Sequence, residues 1–542
     1  MRYLGNIKIY ITALLVMLAA ASCDKTEVLP TEPVVQNVTL SASIATEDNG
    51  LDFKWGANDA VAVINNGKLY RFIVSDNTSD NKVAYLKMDR TLLPEDYAEG
   101  DFDTTSVIRA FYPYEGVAYD TVNRIFSYII PTEQKYIINN VEKKLQPMVA
   151  YSTNIKDTVK FAKLFGILKL SIVGNPDETI KKIEVVSSNK INGLAQIRIE
   201  EGKEVDKPYV YVNILKNDGK EEAPINNNRV ILNLTNEIQL SEEPVDFHIA
   251  LPTSAKDLGI LISTSATSYY KTISSYKENG EFFNVISAGK VFTLPQMDAS
   301  RMIPAYIENG VYLGNGIILP KSKGSNEKLI WAPVNCGYES EKKDGGVITY
   351  NGYPFGKIYQ WGRKDGQGYK DNVYEDATYP LTTSENNGSP LDPFKFYVNW
   401  SLSAKDWPTE SNPCPDGWRV PTIEELISLV DGLLKNDYVT GLENLWVTSN
   451  EDPSNKHYGQ PGFKFDLRRY DEYTKELFLP AAGFYKNDLN GTQIRGLSGC
   501  YWSSTAEAEG YAWYFDFNRQ GYIDNYYDPQ SYGRSVRCVK SM

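Results

Sequence analysis

The chain has few side chains that could serve as nucleophiles, general bases or metal ligands. Its only histidines, His248 and His457, fall in separate segments, so a Ser-His or Cys-His catalytic pair is hard to build. Alternation along its segment places His248 on the outer face of a strand, and His457 lies in a turn-like loop. Glu424 and Glu425 would point apart on a helix and form a solvated face. We therefore expect a protein that is not an enzyme.

Cysteines are the remaining reactive groups. Apart from Cys23, four are present, Cys336, Cys414, Cys500 and Cys538, and all lie in the C-terminal part of the chain. An even number of cysteines in an exported protein predicts two disulfides, and three pairings remain open. No two are spaced as CxxC, and with so few histidines we expect no metal site of the zinc type.

A tyrosine-rich stretch at residues 521–528 (GYIDNYYD) is the best candidate for ligand binding. Rings that can stack on a sugar or contact a protein alternate there with polar groups that can bond hydroxyls. The candidate binding residues are Tyr522, Asp524, Asn525, Tyr526, Tyr527 and Asp528. The alternative is a loop that merely caps the core, and glycan and protein ligands are not separable from these residues.

A calcium ion is the one cofactor that this stretch suggests. Asp524, Asn525, Asp528 and Gln530 offer oxygen atoms of the kind that calcium binds. The same residue types are also common turn formers. We expect no cofactor, with calcium as the alternative.

The element that must position these residues precedes them in the chain. Tyr511, Trp513, Phe515 and Phe517 alternate with other residues, which is the pattern of a strand buried on one face. The tyrosine-rich stretch would then follow this strand as a loop.

The N-terminus is typical of an export signal. Arg2 and Lys8 precede an apolar run over residues 9–21 that is too short to span a bilayer stably. Residues 18–23 (LAAASC) resemble a bacterial lipobox, which implies cleavage before Cys23 and its lipidation. We expect a signal peptide at 1–22, a tether at 23–35, and a lipid-anchored protein of the outer membrane or cell surface.

Composition limits the remaining possibilities. A chain of 542 residues is too long for one core, and its net charge of −13 disfavours nucleic acid as a partner. From residue 36, short apolar-alternating runs are separated by turn residues, with little helical periodicity. This pattern predicts antiparallel β-sandwiches.

Six segments between residues 36 and 297 resemble the fimbrillin family of Bacteroidota. They are WGAND (55–59), AFYPY (110–114), IPTEQ (130–134), PMVAY (147–151), residues 159–170 and IKKIEV (180–185). The resemblance implies two transthyretin-like β-sandwich domains, at 36–165 and 166–297, as in subunits of type V-like fimbriae. It also implies other fimbrial subunits as partners.

The sequence departs from that family where stalk subunits are processed. In stalk subunits an arginine-directed protease removes an early strand, which opens a groove for the neighbouring subunit. Between Cys23 and Tyr70 this chain has no arginine, and the first one after Cys23 is Arg71. We therefore expect a tip or accessory subunit.

The C-terminal part, residues 303–542, resembles the FISUMP domain, a relative of the C-type lectin-like fold. The matching segments are YQWGR (359–363), CPDGWRVPT (414–422), LPAAGF (479–484), GCYWSST (499–505) and GRSVRCVK (533–540). The resemblance implies a compact α+β domain whose ends meet and a Cys414–Cys538 disulfide, which leaves Cys336 with Cys500. Thr422 and Glu425 form a capping box at the start of a helix in this domain.

The expected fold is therefore mainly β, with two sandwiches followed by a lectin-like head. We expect an adhesin that binds a glycan or protein on a host, bacterial or dietary surface. The alternative is a freestanding outer-membrane lipoprotein that captures glycans. A third alternative, an enzyme like the sulfatase-modifying oxidases, lacks their closely spaced cysteine pair, because Cys500 and Cys538 are far apart.

Overall fold

The computed structural model of the protein describes most of the chain after residue 37. The described residues are 38–45, 51, 53–77, 82–89, 91, 102–204, 207–215, 227–321, 327–340, 342–344, 347–350, 355–366, 381–382, 396–397, 399–430, 446–447, 460–466, 476–486 and 492–541. The fold of this part is mainly β, as the alternating patterns predict. The signal peptide, Cys23, the tether and His457 lie outside the described residues.

The N-terminal region supplies ten strands, seven of which close a barrel. These strands are β1 (Thr39–Ile44), β2 (Ala60–Asn65), β3 (Lys68–Asn77), β4 (Val83–Met88), β5 (Ile108–Tyr112), β6 (Val117–Asp120), β7 (Ile125–Ile130), β8 (Glu133–Lys135), β9 (Met148–Ser152) and β10 (Val159–Lys163). The order around the barrel is β1-β10-β9-β5-β2-β3-β4. Strand β2 is buried along its whole length, because Val61 and Val63 face the barrel core while Ala62 and Ile64 pack under a second sheet.

The next region forms two sheets around the apolar core of a sandwich. Its strands are β11 (Phe165–Val173), β12 (Thr179–Val186), β13 (Gly193–Glu204), β14 (Lys207–Ile214), β15 (Arg229–Gln239), β16 (Val245–Pro252), β17 (Leu258–Thr264), β18 (Ser268–Ile273), β19 (Tyr276–Glu278), β20 (Glu281–Phe283), β21 (Val291–Thr293) and β22 (Met297–Asp298). One sheet has the order β18-β17-β12-β15-β8, and the other is β16-β11-β21 with β22 also on β11.

The two regions exchange strands. Strand β8 comes from the N-terminal region but pairs in parallel with β15 of the sandwich. In the other direction, β13 pairs with β7, and the sheet β14-β13-β7-β6 packs on the outside of the barrel. Backbone hydrogen bonds therefore join the two expected domains across the predicted boundary between residues 165 and 166.

His248 is buried, so its expected position on an exposed strand face is wrong. Its side chain is 6% exposed. The same face of β16 carries Ala250, which packs with Val141 and Leu145 from the segment around the 3-10 helix Lys143–Leu145. This segment covers the face that the strand pattern alone leaves open. Burial lowers the pKa of His248, which favours a neutral imidazole.

The C-terminal module combines short strands with one short α-helix in the part that the structure describes. Its strands are β23 (Ala305–Glu308), β24 (Val311–Asn315), β25 (Ile317–Pro320), β26 (Lys328–Trp331), β27 (Lys342–Asp344), β28 (Val347–Tyr350), β29 (Ile358–Gln360), β30 (Leu381–Thr382), β31 (Phe396–Tyr397), β32 (Trp446–Val447), β33 (Gly462–Asp466), β34 (Glu476–Pro480), β35 (Phe484–Tyr485), β36 (Thr492–Gln493), β37 (Ser498–Ala508), β38 (Tyr511–Asn518), β39 (Ile523–Pro529), β40 (Gly533–Ser535) and β41 (Val539–Ser541). The largest sheet is β36-β35-β40-β37-β38-β39, with β29 also on β40. The two ends of the module meet where β26 pairs with β41.

Helix α1 (Ile423–Ser428) begins at the predicted capping box. The Thr422 side chain accepts a hydrogen bond from the Glu425 amide, and Glu425 accepts one from the Thr422 amide. Glu425 is buried and not on a solvated face, because it also binds Arg419 through two hydrogen bonds of 2.7 and 2.6 Å.

Aromatic stacking and a lysine connect this module to the sandwich. The rings of Tyr270 and Tyr312 stack with centroids 3.7 Å apart. Lys540 Nζ donates to the carbonyl oxygen of Ala266 at 3.1 Å.

Among the described residues, no helix has the length and apolarity needed to cross a membrane.

Candidate functional site

The tyrosine-rich stretch forms a strand and not the expected loop. Residues 523–529 pair as β39 with β38, in a continuous antiparallel register that joins Phe515 to Asn525 and Trp513 to Tyr527. The connecting turn is closed by a hydrogen bond from the Asn518 amide to the Tyr522 carbonyl at 2.9 Å. Within the described sheet β39 pairs only with β38, so this hairpin lies at the sheet edge.

Because side chains alternate along a strand, the candidate binding residues are divided between two faces. We call one the acidic face, which comprises Tyr514, Asp516, Tyr522, Asp524, Tyr526 and Asp528. We call the other the aromatic face, which comprises Tyr511, Trp513, Asn525 and Tyr527. The adjacent residues Tyr526 and Tyr527 therefore point in opposite directions, although the sequence analysis placed them in one cluster.

Arg534 organises one end of the acidic face. Its guanidinium lies 3.7 Å from the centroid of the Tyr514 ring and 4.5 Å from that of Trp502, and it forms an ion pair with Asp528. Arg534 is 1% exposed, and its Nε and Nη1 atoms have no hydrogen-bond partner among the described residues. Asp528 and the Tyr514 ring therefore both contact the buried guanidinium inside the protein.

The other end of the acidic face is also internally bonded. The hydroxyls of Tyr522 and Tyr526 hydrogen-bond to each other, and Tyr522 donates to Asp524 Oδ2 at 3.0 Å. Burial and these hydrogen bonds raise the pKa of Tyr522. Burial also raises the pKa of Asp516, whose Oδ1 atom lies 3.4 Å from Cys500 Sγ.

The aromatic face is more open. Tyr511 is 44% exposed and Tyr527 is 52% exposed, whereas Trp513 is partly buried. The Tyr527 ring stands nearly perpendicular to Trp513, with centroids 5.3 Å apart, and to Tyr511, with centroids 6.3 Å apart. Sequence reasoning missed Tyr511 and Trp513 as site residues, because their alternation was interpreted as a single buried strand face.

The same face of the hairpin becomes core a few residues further along β38. Phe515 and Phe517 are fully buried in a cluster that includes Leu426 of α1. The hairpin is therefore anchored at this end and exposes its rings at the other.

The four oxygen donors considered for calcium are distributed among separate contacts. Asp528 pairs with Arg534, and Asp524 accepts from Tyr522. Asn525 lies on the aromatic face, and the Gln530 side chain is buried and accepts from the Leu402 amide at 2.6 Å. In the described ranges, no group of three His, Cys, Asp or Glu side chains could hold a metal ion.

The cysteines form one disulfide in the structure. Cys414 and Cys538 are bonded, with Cα atoms 5.9 Å apart, which is the pairing that the lectin-like resemblance implies. Cys336 and Cys500 are buried free thiols, so the expected second pair is not present. The physical reason is that the two thiols lie beside different groups. Cys336 Sγ lies 3.1 Å from the Pro413 carbonyl oxygen, while Cys500 faces Asp516.

Cys336 belongs to a buried polar cluster beside the disulfide. Its sulfur accepts from the Tyr359 hydroxyl at 3.2 Å and lies 3.6 Å from Glu308 Oε1. Tyr306 OH lies 3.2 Å from Glu308 Oε2 and 3.5 Å from Cys538 Sγ. Burial raises the pKa of Cys336, which keeps the thiol protonated and a poor nucleophile.

Comparison with known proteins gives one family match and several distant structures. A family model described as a domain of unknown function (DUF8237) matches residues 467–539, which include the hairpin. No curated protein matches the chain. The match that reaches the hairpin is thus to a family without an assigned function.

Three solved structures with some similarity are proteins of Bacteroides and Porphyromonas species. A fimbrial protein from Bacteroides ovatus is 11% identical, with 93% of this chain and 98% of that chain covered and a TM-score of 0.21. The tip fimbrial protein Mfa3 from Porphyromonas gingivalis, with a C-terminal truncation, is 12% identical, with 48% and 96% covered and a TM-score of 0.22. A Bacteroides uniformis protein, provisionally named a cell adhesion protein, is 13% identical, with 50% and 96% covered and a TM-score of 0.29. TM-scores this low do not establish a shared fold.

Proposed function

We propose that the protein is a lipid-anchored cell-surface adhesin that serves as a fimbrial tip or accessory subunit. In this proposal Cys23 carries the lipid, residues 36–165 and 166–297 form the transthyretin-like spacer, and residues 303–542 form a lectin-like head. The observation that carries the proposal is the exposed aromatic hairpin at the edge of the largest sheet in the C-terminal module. A surface that exposes tyrosines on a rigid strand pair suits contact with a ligand, since tyrosine is enriched at binding hot spots.

Two features support the lectin-like part of this proposal. The Cys414–Cys538 disulfide is the one implied by the resemblance, and the pairing of β26 with β41 brings the two ends of the module together.

The assignment to a tip or accessory position rests on the lack of an early arginine. Strand β1 pairs with both β4 and β10 and completes the barrel. Arg71 lies in β3 and forms an ion pair with Asp89 at 2.6 Å. We expect an arginine-directed protease to leave this region intact, and a clean cut within residues 36–60 would contradict the assignment.

Binding arrays test the adhesin proposal. We expect the mature protein, presented without its lipid, to bind at least one glycan or protein of a host, bacterial or dietary surface, and to lose binding when residues 303–542 are removed. Retention of binding by the spacer alone would contradict a role for the head. Co-purification with polymerised fimbrial subunits would favour the fimbrial role, whereas a monomer associated with a glycan importer would favour the alternative of glycan capture.

A further inference from the structure

We propose that the aromatic face of the hairpin binds the uncharged sugar rings of a neutral glycan, with Tyr511, Trp513 and Tyr527 as the stacking residues. This inference rests on the proposed adhesin function and adds to it the ligand class and the face that binds. It also changes which residues carry binding, since of the expected tyrosines only Tyr527 lies on this face.

Two tyrosine rings of the aromatic face are accessible to a ligand. Tyr511 and Tyr527 expose about half of their surface, 44% and 52%, and they stand on a hairpin whose far end is fixed by Phe515 and Phe517 in the core. The backbone register of β38 and β39 holds these side chains next to each other. Rings held this way lose little conformational entropy when a ligand stacks on them.

The three rings of the aromatic face stand at steep angles to one another. Tyr527 stands at 78° to Trp513 and at 84° to Tyr511, so the three rings form a stepped surface and not a flat stack. A sugar ring presents C–H groups on its faces and hydroxyls around its rim. Such a ligand can place a face on one aromatic ring while its hydroxyls bond to tyrosine hydroxyls and the Asn525 amide at the edges.

The aromatic face of the hairpin is uncharged. The aromatic face carries no carboxylate, lysine, arginine or histidine at the paired positions, which are Tyr511 with Pro529, Trp513 with Tyr527, and Phe515 with Asn525. The chain has a net charge of −13, which disfavours sulfated or sialylated glycans. The uncharged face therefore fits a neutral ligand best.

The chain supplies a matched control. Tyr526 precedes Tyr527 on the same strand and is 42% exposed, but it points to the acidic face, where its hydroxyl bonds Tyr522. Substitution of either tyrosine removes a similar exposed ring. The two variants therefore separate a specific contact on one face from a general loss of surface aromatics.

The experiment uses the full mature chain on an array of neutral, sialylated and sulfated glycans, followed by titration calorimetry with the best neutral oligosaccharide. We expect Tyr527→Ala to weaken the affinity by about tenfold, because the sugar loses one of the rings on which it stacks. A tenfold change corresponds to about 1.4 kcal/mol of binding free energy. Tyr511→Ala should act in the same direction, and Tyr526→Ala should leave the affinity within about twofold of wild type. Thermal unfolding of each variant checks that the fold is intact.

Four outcomes would overturn the inference. Loss of glycan binding in Tyr526→Ala with retention in Tyr527→Ala would assign binding to the acidic face. Preference for charged glycans would refute the ligand class. Binding only to proteins or cells, with no glycan bound, would refute the inference while the adhesin function stands, whereas a head that binds no partner at all would refute both.

Discussion

At the scale of single residues, the head module keeps several polar groups out of water. Arg537 is fully buried and donates to Asn335 Oδ1, the Ala332 carbonyl and the Phe478 carbonyl, each at 2.9 Å. The cluster around Cys336 is buried in the same way beside the Cys414–Cys538 disulfide. Paired polar groups of this kind fix one arrangement of the surrounding chain, because a lost partner leaves the other group buried without a hydrogen bond.

The state of the cysteines is directly testable. In a soluble variant that starts after Cys23, we expect two titratable thiols after denaturation without reductant and none in the native protein, because Cys336 and Cys500 are free but buried. Cys336→Ser and Cys500→Ser should each remove one thiol. Absence of any thiol in the denatured protein would show that these two cysteines are paired after all.

Glu308 gives a prediction for pH dependence. Burial raises its pKa above the ordinary value of 4.5, so the folded state holds this proton more tightly than the unfolded state. The stability it contributes is complete below about pH 4.5 and is lost as the pH rises through the folded-state pKa. Glu308→Gln keeps an oxygen that can accept from the Gly337 amide and removes the charge.

We therefore expect urea unfolding of Glu308→Gln to show a smaller fall in the free energy of unfolding between acid and neutral pH than wild type. The exposed Glu424→Gln is the control. Parallel curves for wild type and Glu308→Gln would contradict a buried, destabilised carboxylate at this position.

At the scale of elements, two local features hold the aromatic hairpin of the C-terminal module in place. The turn between β38 and β39 sets the register that separates Tyr526 from Tyr527, and α1 packs on the hairpin through Leu426. Helix α1 has only six residues, so its start matters more than its intrinsic propensity. The capping box therefore contributes to the anchoring of the hairpin.

Removal of the capping hydroxyl tests this contribution. We expect Thr422→Ala to lower the free energy of unfolding of the head by about 1 kcal/mol, because the Glu425 amide loses its acceptor. Thr422→Ser keeps the hydroxyl and should lie close to wild type in the same chemical denaturation series. Equal stability of the alanine and serine variants would show that the cap is dispensable.

At the scale of the whole molecule, the spacer regions depend on each other. Strand β8 completes a sheet of the sandwich, while β13 pairs with β7, and the sheet that they form with β14 and β6 packs on the outside of the barrel. Exchange in both directions links the two cores more firmly than a flexible linker would. In the proposed function, such a rigid spacer would hold the head away from the membrane.

Truncation tests this dependence. We expect residues 36–165 alone to unfold or aggregate, because β7 would lose its pairing with β13 and the sheet that packs on the barrel would lose two of its four strands. Residues 36–302 should unfold cooperatively. Near-ultraviolet circular dichroism and limited proteolysis distinguish the two outcomes. A cooperative, protease-resistant fragment 36–165 would show that the exchanged strands are not needed.

Much of the fold follows from local sequence. Alternation along residues 245–251 and 511–518 predicts strands, and Thr422 with Glu425 predicts the helix start, because these features depend on neighbours within a few residues. The strand that carries Asn525 and Tyr527 was expected as a loop, since its tyrosine, asparagine and aspartate content resembles that of a turn.

The sequence by itself determined that this is a mainly β chain with an aromatic segment near its C-terminus, because side-chain periodicity is a property of consecutive residues. Tertiary structure decided the rest: which cysteines meet, that His248 is covered, and that Tyr526 and Tyr527 face opposite ways. These outcomes depend on the register between strands and on packing by distant segments such as 141–145, neither of which is encoded in the spacing of any one segment.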